Sequence, residues 1–402
     1  MKRIFIKVTA LVILSQSQIS FADPGLFFNV NATGSLLNLT TTIPHHSYAN
    51  AGIKFNTPGY SLTSCRTTGN GFCLFSVSDT MPASLLVNGP RGMPSATLCL
   101  EGQGPLSCQD YAISITGSNA PRFIYISDSG AADLQQCSLD STGAITSCTN
   151  VSIAPGSFPT TNVAFNKAGT LAYVGATDNV YVCNVDISTG NFSNCTATGS
   201  GFNFAASIAL NPANTFAYVS SFSSSEVIKC SVDQTTGALS NCAATGSGFF
   251  EPTGITLNST GTFAYVGTIN AFSPLVLCAI NPATGDFNSC QSASDYFFRA
   301  PTWAALNPLN TTAYVVNENT SVISQCRVSP TTGFIPGCTT TGDFAFNVPY
   351  NIEINSLGTT VYIGDGFTRV VKCSVDPVSG ALSGCAVTGP NFSNLEGITL
   401  YS

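Results

Sequence analysis

Charge is scarce in this 402-residue chain: Asp, Glu, Lys and Arg together make up 8% of it, against about a quarter in an average soluble domain. Thirteen Lys and Arg stand against twenty Asp and Glu, so no cationic excess exists to meet nucleic acid or anionic lipid. Histidine is nearly absent. His45 and His46 are the two in the chain, so nothing beyond residue 46 can supply the imidazole of a Ser-His-acid triad or of a histidine-based lyase. Long apolar runs are missing too. The best candidate, near the N-terminus, is cut by Lys7 and by the polar stretch Ser15 to Gln18, well short of the roughly 20 residues a membrane helix needs.

That N-terminal segment reads as a signal peptide over residues 1–22. Lys2, Arg3 and Lys7 form the positive region, Val8 to Leu14 the short apolar core, and Ser20-Phe21-Ala22 a small-x-small cleavage site. Its removal leaves ten cations against twenty anions. An exported chain without a membrane span is the expectation, in the periplasm or outside the cell. Cysteine usage agrees: sixteen thiols suit an oxidising compartment far better than the cytosol. Zinc is a poorer explanation, because its structural sites use clusters spaced two to four residues apart, and no cofactor or metal is implied.

Twelve of those cysteines sit in a repeat. Tyr125, Tyr173, Tyr218, Tyr265, Tyr314 and Tyr362 are followed by the pairs Cys137/Cys148, Cys183/Cys195, Cys230/Cys242, Cys278/Cys290, Cys326/Cys338 and Cys373/Cys385. One period, residues 253–290, reads as four short strands near 254–257, 263–267, 275–280 and 286–290, joined by Asn-, Gly- and Pro-containing turns. A four-stranded meander repeated at this interval predicts a β-propeller, one blade per repeat. Folding residues 182–195 about Thr189 places Val185 opposite Ser193 and Cys183 opposite Cys195, which predicts bridges inside each blade between its third and fourth strands. Six blades fit the length, with seven as the alternative because Cys99 and Cys108 loosely echo the hairpin. The final Gly397 to Ser402 copies a first strand with no second strand after it, as ring closure onto the blade of Tyr125 requires.

Residues 23–118 do not follow the repeat. Alternating segments with turns at Thr57-Pro58-Gly59 and Gly69-Asn70-Gly71 predict a small β-sandwich, closed by Cys65/Cys73 and Cys99/Cys108, with the propeller occupying 119–402. The fold class is therefore all-β.

The Ala-Tyr-Val that follows an Asn-Pro-x-x-Thr or Asn-Ser-x-Gly-Thr turn, as in Asn211 to Val219 and Asn258 to Val266, resembles the YVTN and lactonase-like propeller repeats of exported bacterial proteins. Residues 58–109 look like the immunoglobulin-like module that precedes such propellers. The resemblance implies a fold; the tetrapeptide itself differs in every copy, reading YVGA, YVSS, YVGT, YVVN and YIGD, so no catalytic residue is carried over.

Candidate site residues come from breaks in the repeat. Aligned on Gly254, the first strands carry Asn162, Ser207, Gly254, Trp303, Asn351 and Gly397, preceded by Thr161, Ala206, Thr253, Thr302, Tyr350 and Glu396. The bulky or charged departures, Trp303, Tyr350 and Glu396 with the nearby Glu251, Arg299 and Glu353, are expected to converge on one channel mouth and hold a small molecule or a protein loop. The recurring Phe202, Phe249, Phe298, Phe346 and Phe392 read as packing anchors, and Asp140, Asp186, Asp233 and Asp376 as turn caps. Two functions follow: a non-catalytic binding or interaction propeller of unknown ligand, or a lactonase-like hydrolase whose metal would be held by Glu251, Glu353, Glu396 and Asp365.

Overall fold

The computed structural model divides into two compact units, Met1–Ala120 with Ser402, and Pro121–Tyr401. It describes residues 123–401 apart from 130–132, 141, 152, 154–159, 270–273 and 295–297, and, in the first unit, the backbone of strands between residues 28 and 112. The expected signal peptide lies outside the described residues. The described strands of the first unit form two sheets. One orders Phe28–Thr33, Leu36–Thr41, Ala83–Asn88 and Ser61–Leu62; the other orders Arg66–Thr67, Cys73–Val77, Ala49–Phe55, Ser95–Glu101 and Ser107–Ala112. Cys99 and Cys108 face each other in register. The Cys65/Cys73 pairing lies outside the described residues.

The second unit is a six-bladed propeller. Five blades are consecutive four-stranded meanders, beginning at Thr160, Ala205, Pro252, Trp303 and Pro349. Blade 1 is composite: Ile145–Val151, Asp133–Leu139, Phe123–Asp128 and, innermost, Leu395–Tyr401. Ile126 pairs with Ile398 across this seam, and Asp128, buried, accepts the main-chain N–H groups of Ser393 and Asn394. No helix among the described residues is long and apolar enough to cross a membrane.

With few charges available, hydroxyls hold the blades to one another. The six repeat tyrosines are among the largest fully buried side chains. Each donates its hydroxyl to the main-chain carbonyl of a turn glycine in the next blade: Tyr125 to Gly190, Tyr173 to Gly237, Tyr218 to Gly285, Tyr265 to Gly333, Tyr314 to Gly380 and, closing the circle, Tyr362 to Gly143. Those glycines all have positive φ, between 71° and 77°, a conformation L side chains avoid. Burial pushes the Tyr173 and Tyr314 hydroxyls up to about 12, so they remain neutral donors at any physiological pH. Thr198, Thr245, Thr341 and Thr388 accept the N–H of the fourth strand in the following blade. The aspartates Asp140, Asp186, Asp233 and Asp376 cap the hairpin turns by accepting two main-chain N–H groups each.

All six propeller disulfides form as the hairpin argument expects, each joining the third and fourth strands of one blade: Cys137–Cys148, Cys183–Cys195, Cys230–Cys242, Cys278–Cys290, Cys326–Cys338 and Cys373–Cys385, with Cα separations of 3.9–4.1 Å. Each closes a loop of about a dozen residues, for which chain entropy gives roughly 3 kcal/mol. They are structural staples with no part in a site. The first cysteine of every pair is buried in the core between blades. The second, Cys148, Cys195, Cys242, Cys290, Cys338 or Cys385, is half-buried at the margin of the same cluster, because the fourth strand is the outer edge of its blade.

The hairpin register corrects the expected one in four blades. Only Cys137 with Cys148 and Cys326 with Cys338 stand directly opposite each other in the ladder. In the blade of Cys183, Val185 pairs with Phe192 and Asn184 with Ser193, with a bulge at the cysteines. The same shift occurs at Cys230/Cys242, Cys278/Cys290 and Cys373/Cys385. There the twelve-residue spacing holds one residue too many for a regular ladder. The residue before Cys195, Cys242, Cys290 and Cys385 absorbs it with positive φ, at Asn194, Asn241, Ser289 and Gly384.

Candidate functional site

The innermost strands line the channel, and at the end where they begin, one position carries a threonine that ties three of them to their neighbours, with Ala206 in its place in blade 3. The hydroxyls of Thr161, Thr253 and Thr302 donate to the carbonyls of Ala205, Thr302 and Tyr350 in the next blade. In blades 6 and 1 that position holds Tyr350 and Glu396, so the tie is replaced by a phenol and a carboxyl. The Tyr350 ring packs against Phe367, 5.5 Å between centroids. Burial, followed by the nearby carboxyls of Glu396 and Glu318, holds its hydroxyl far above its ordinary pKa. The Glu396 Oε1 accepts from Ser129 Oγ at 3.0 Å and Asn394 Nδ2 at 2.8 Å; burial nevertheless leaves its pKa raised.

Glu318 is the residue the sequence reading did not single out. It opens the short 3-10 turn Glu318–Thr320 between the second and third strands of blade 5, where blade 3 has Phe222. Its main-chain N–H donates to the Ala300 carbonyl, as Phe222 donates to Phe204. Its Oε2 is buried with no hydrogen-bond partner, and burial raises its pKa. The signal is present in the sequence: in the aligned loops between second and third strands, a carboxyl at 318 stands where blade 3 has the phenyl ring of Phe222.

The remaining expected residues disperse. Glu251 is half-buried at the approach to blade 4 with φ 46°, a left-handed position shared by Phe204, Ala300 and Val348. Its N–H donates to Ser225 Oγ. Arg299 is exposed, with its N–H on Asn317 Oδ1. Trp303 is 5% exposed. Its indole covers Gly254 of blade 4 so closely that a β-carbon there would lie 2.3 Å from the ring, and it belongs to the core between blades 5 and 6. Its aromatic face is therefore filled by a neighbouring blade instead of open to a ligand.

Glu353 lies three residues beyond Tyr350, about 10 Å along the strand. The proposed metal set is accordingly not assembled. Asp365 is fully buried and takes up the Asn347 N–H at 2.7 Å and the Arg369 guanidinium at 2.6 Å, and among the described residues no three His, Cys, Asp or Glu side chains are grouped for a metal. Asn351, between Tyr350 and Glu353, is fully buried with both amide atoms unpartnered. The equivalent Asn162 reaches Thr399 Oγ1 of the preceding blade; the residue matching Thr399 beside Asn351 is Ala305, which has no hydroxyl to offer.

A family profile described as "Lactonase, 7-bladed beta-propeller" matches residues 101–297; the structure itself has six blades. No curated protein matches the chain. The crystal structure of a nidogen/laminin complex aligns with a TM-score of 0.54 at 12% identity, over 70% of this chain and 98% of that one, a likeness of fold. A putative 6-phosphogluconolactonase from Bacteroides uniformis aligns over 88% of this chain and all of its own, at 14% identity and a TM-score of 0.47. The periplasmic gluconolactonase of Pseudomonas aeruginosa aligns over 86% of this chain and all of its own, at 14% identity and a TM-score of 0.43.

Proposed function

We propose that this propeller is an exported, lactonase-like hydrolase that opens a small uncharged sugar lactone at the mouth formed by blades 5, 6 and 1. The observation that carries the reading is the buried, unpartnered Glu318 Oε2, whose carboxyl lies near enough to the Tyr350 hydroxyl to raise its pKa. A desolvated carboxylate with raised pKa is a stronger base than one in water. Glu318 takes a proton from water as the water oxygen attacks the lactone carbonyl. Tyr350, which stays protonated, donates to the oxygen where negative charge develops. Collapse breaks the ring C–O bond, and the proton held by Glu318 passes to the departing alkoxide, leaving the open hydroxy acid. Glu396, held by Ser129 and Asn394, is placed to accept from sugar hydroxyls. Carboxyls around the opening favour an uncharged lactone over a phosphorylated one. Six local disulfides and the family match support export and the reaction class.

The test is release of acid from gluconolactone above the uncatalysed rate, followed by pH-stat, with 6-phosphogluconolactone as comparison. Glu318→Gln should lower kcat by about 100-fold or more and Tyr350→Phe by about tenfold. Activity should rise with pH as Glu318 loses its proton. Calorimetric binding without turnover would replace the hydrolase with a non-catalytic binding protein, and neither binding nor turnover would remove the mouth as a site.

A further inference from the structure

The opposite end of the channel carries a second feature. The residues that pair with the six latch tyrosines on the innermost strands are Thr399, Ala164, Ala209, Thr256, Ala305 and Glu353. Five are small or hydroxylic; one is a carboxylic acid. Thr256 and Thr399 send their hydroxyls to carbonyls in the next blade, those of Ala304 and Val163. Glu353 stands in the same register and, ionised, has no proton to give. Together with Ala305 and Thr256 it borders a cavity of about 220 Å³ between blades 4, 5 and 6, walled by Leu257, Leu306 and Ile354 and rimmed by turn residues including Asn310. At about 30 Å³ per water-sized group, that is room for roughly seven non-hydrogen atoms. Leu309, in the same turn as Asn310, is 73% exposed.

We propose that this cavity is a binding site for a small aliphatic primary ammonium compound, its cationic head on the Glu353 carboxylate and its chain against Leu257, Leu306 and Ile354. A single carboxylate balances a single positive charge, the apolar walls suit an alkyl chain, and the ammonium brings the donors that the register lacks here. The groups packed against Glu353 leave it as the sole titrating partner near neutrality. The lining residues on blades 4 and 5 are uncharged, the Thr399 hydroxyl of blade 1 is turned to Val163 of blade 2, and Tyr362, the cross-strand partner of Glu353, keeps its hydroxyl on Gly143. Burial pushes the Glu353 carboxyl up to about 8, so below that pH a bound cation must displace a proton.

Calorimetry with n-pentylammonium tests this independently of lactone hydrolysis, which belongs to the other end of the channel. Affinity should tighten about tenfold per pH unit from pH 6 towards pH 8 and level off above it. Glu353→Gln, which keeps the shape, and Ala305→Leu, which fills the cavity, should each weaken binding at least tenfold at pH 9 while thermal unfolding stays cooperative. Pentanol or pentanoate binding as tightly as pentylammonium would overturn the proposal. So would affinity unaffected by Glu353→Gln, or no heat with the unaltered protein at any pH.

Discussion

The turn end of each blade and the channel mouth obey different rules. At the turn end all six copies repeat: a buried tyrosine, a left-handed glycine carbonyl in the next blade, and a disulfide across the outer hairpin. At the mouth the copies diverge, and the divergence is concentrated in blades 5, 6 and 1, where Glu318, Tyr350 and Glu396 replace a phenyl ring and two threonine-type ties. Polar groups at the turn end are paired, which stabilises the ring. Those at the mouth and in the channel include the described buried side-chain atoms without partners, on Glu318 and Asn351, each costing the fold about 1–3 kcal/mol. The chain thus satisfies its hydroxyls thoroughly in one region and leaves carboxyl and amide atoms unpaired in another, so the cost to the fold is concentrated in the channel.

Breaking the ring tests the first half of that comparison most severely. Deleting residues 395–401 removes the innermost strand of blade 1 and bares the edge at Phe123–Asp128; we expect aggregation, or loss of the cooperative melting transition, by size-exclusion chromatography and calorimetry. A truncated protein that melts with the full chain would show the seam to be dispensable. Replacing Cys230 and Cys242 together by Ala should cost about 3 kcal/mol in denaturant unfolding. The same exchange at Cys326 and Cys338, where the ladder has no bulge, should cost a similar amount if the turn end is uniform.

Glu353 sharpens the contrast through pH. Its folded pKa, about 8, lies above its ordinary 4.5, so the folded state holds the proton more tightly than the unfolded one between those values. Stability is therefore full below pH 4.5, falls as pH rises, and levels off above pH 8. Discounted for its partial exposure, the loss should be about 2 kcal/mol, and Glu353→Gln should abolish it in melts at pH 5 and pH 9. Tyr218→Phe removes one latch and leaves the Gly285 carbonyl without that donor, at a cost of about 1–2 kcal/mol. Smallest is a repair: Ala305→Thr offers Asn351 the hydroxyl that Thr399 gives Asn162, and should raise stability by about 1 kcal/mol. A loss instead would mean that Asn351 is satisfied some other way.

What could be read from the sequence divides along the same line. The blades, their disulfides and the closing strand were legible because they are periodic: cysteines eleven or twelve apart meet in a hairpin whatever surrounds them, and an orphan first strand needs a sheet. The bulge was not, because two cysteines in contact do not reveal which neighbouring residue turns left-handed. At the mouth, Tyr350 and Glu396 are legible as departures from an aligned position, and the charges of Glu396 and Glu318 both act on the Tyr350 hydroxyl. Trp303 was found in the same way but is buried, since a large residue opposite a glycine fills space in the next blade, and alignment of a strand with itself cannot see across to Gly254. Glu353 was placed with the mouth, though three residues of strand carry it to the other end.

The composite first blade also sets an order of events in folding. Every propeller disulfide joins residues 11 or 12 positions apart, and each tyrosine latch from Tyr125 to Tyr314 spans 64 to 68 positions. The seam, from Asp128 to Ser393, must bring together groups 265 positions apart, a contact formed late on entropic grounds. Hairpins can thus be oxidised and neighbouring blades docked while the ring is still an open arc. The mouth between blades 5, 6 and 1 lies beside that seam, since Glu396 is on the closing strand itself, so its carboxyl joins Tyr350 only at the last step of folding, and anything that loosens the seam displaces it before it unravels the blades.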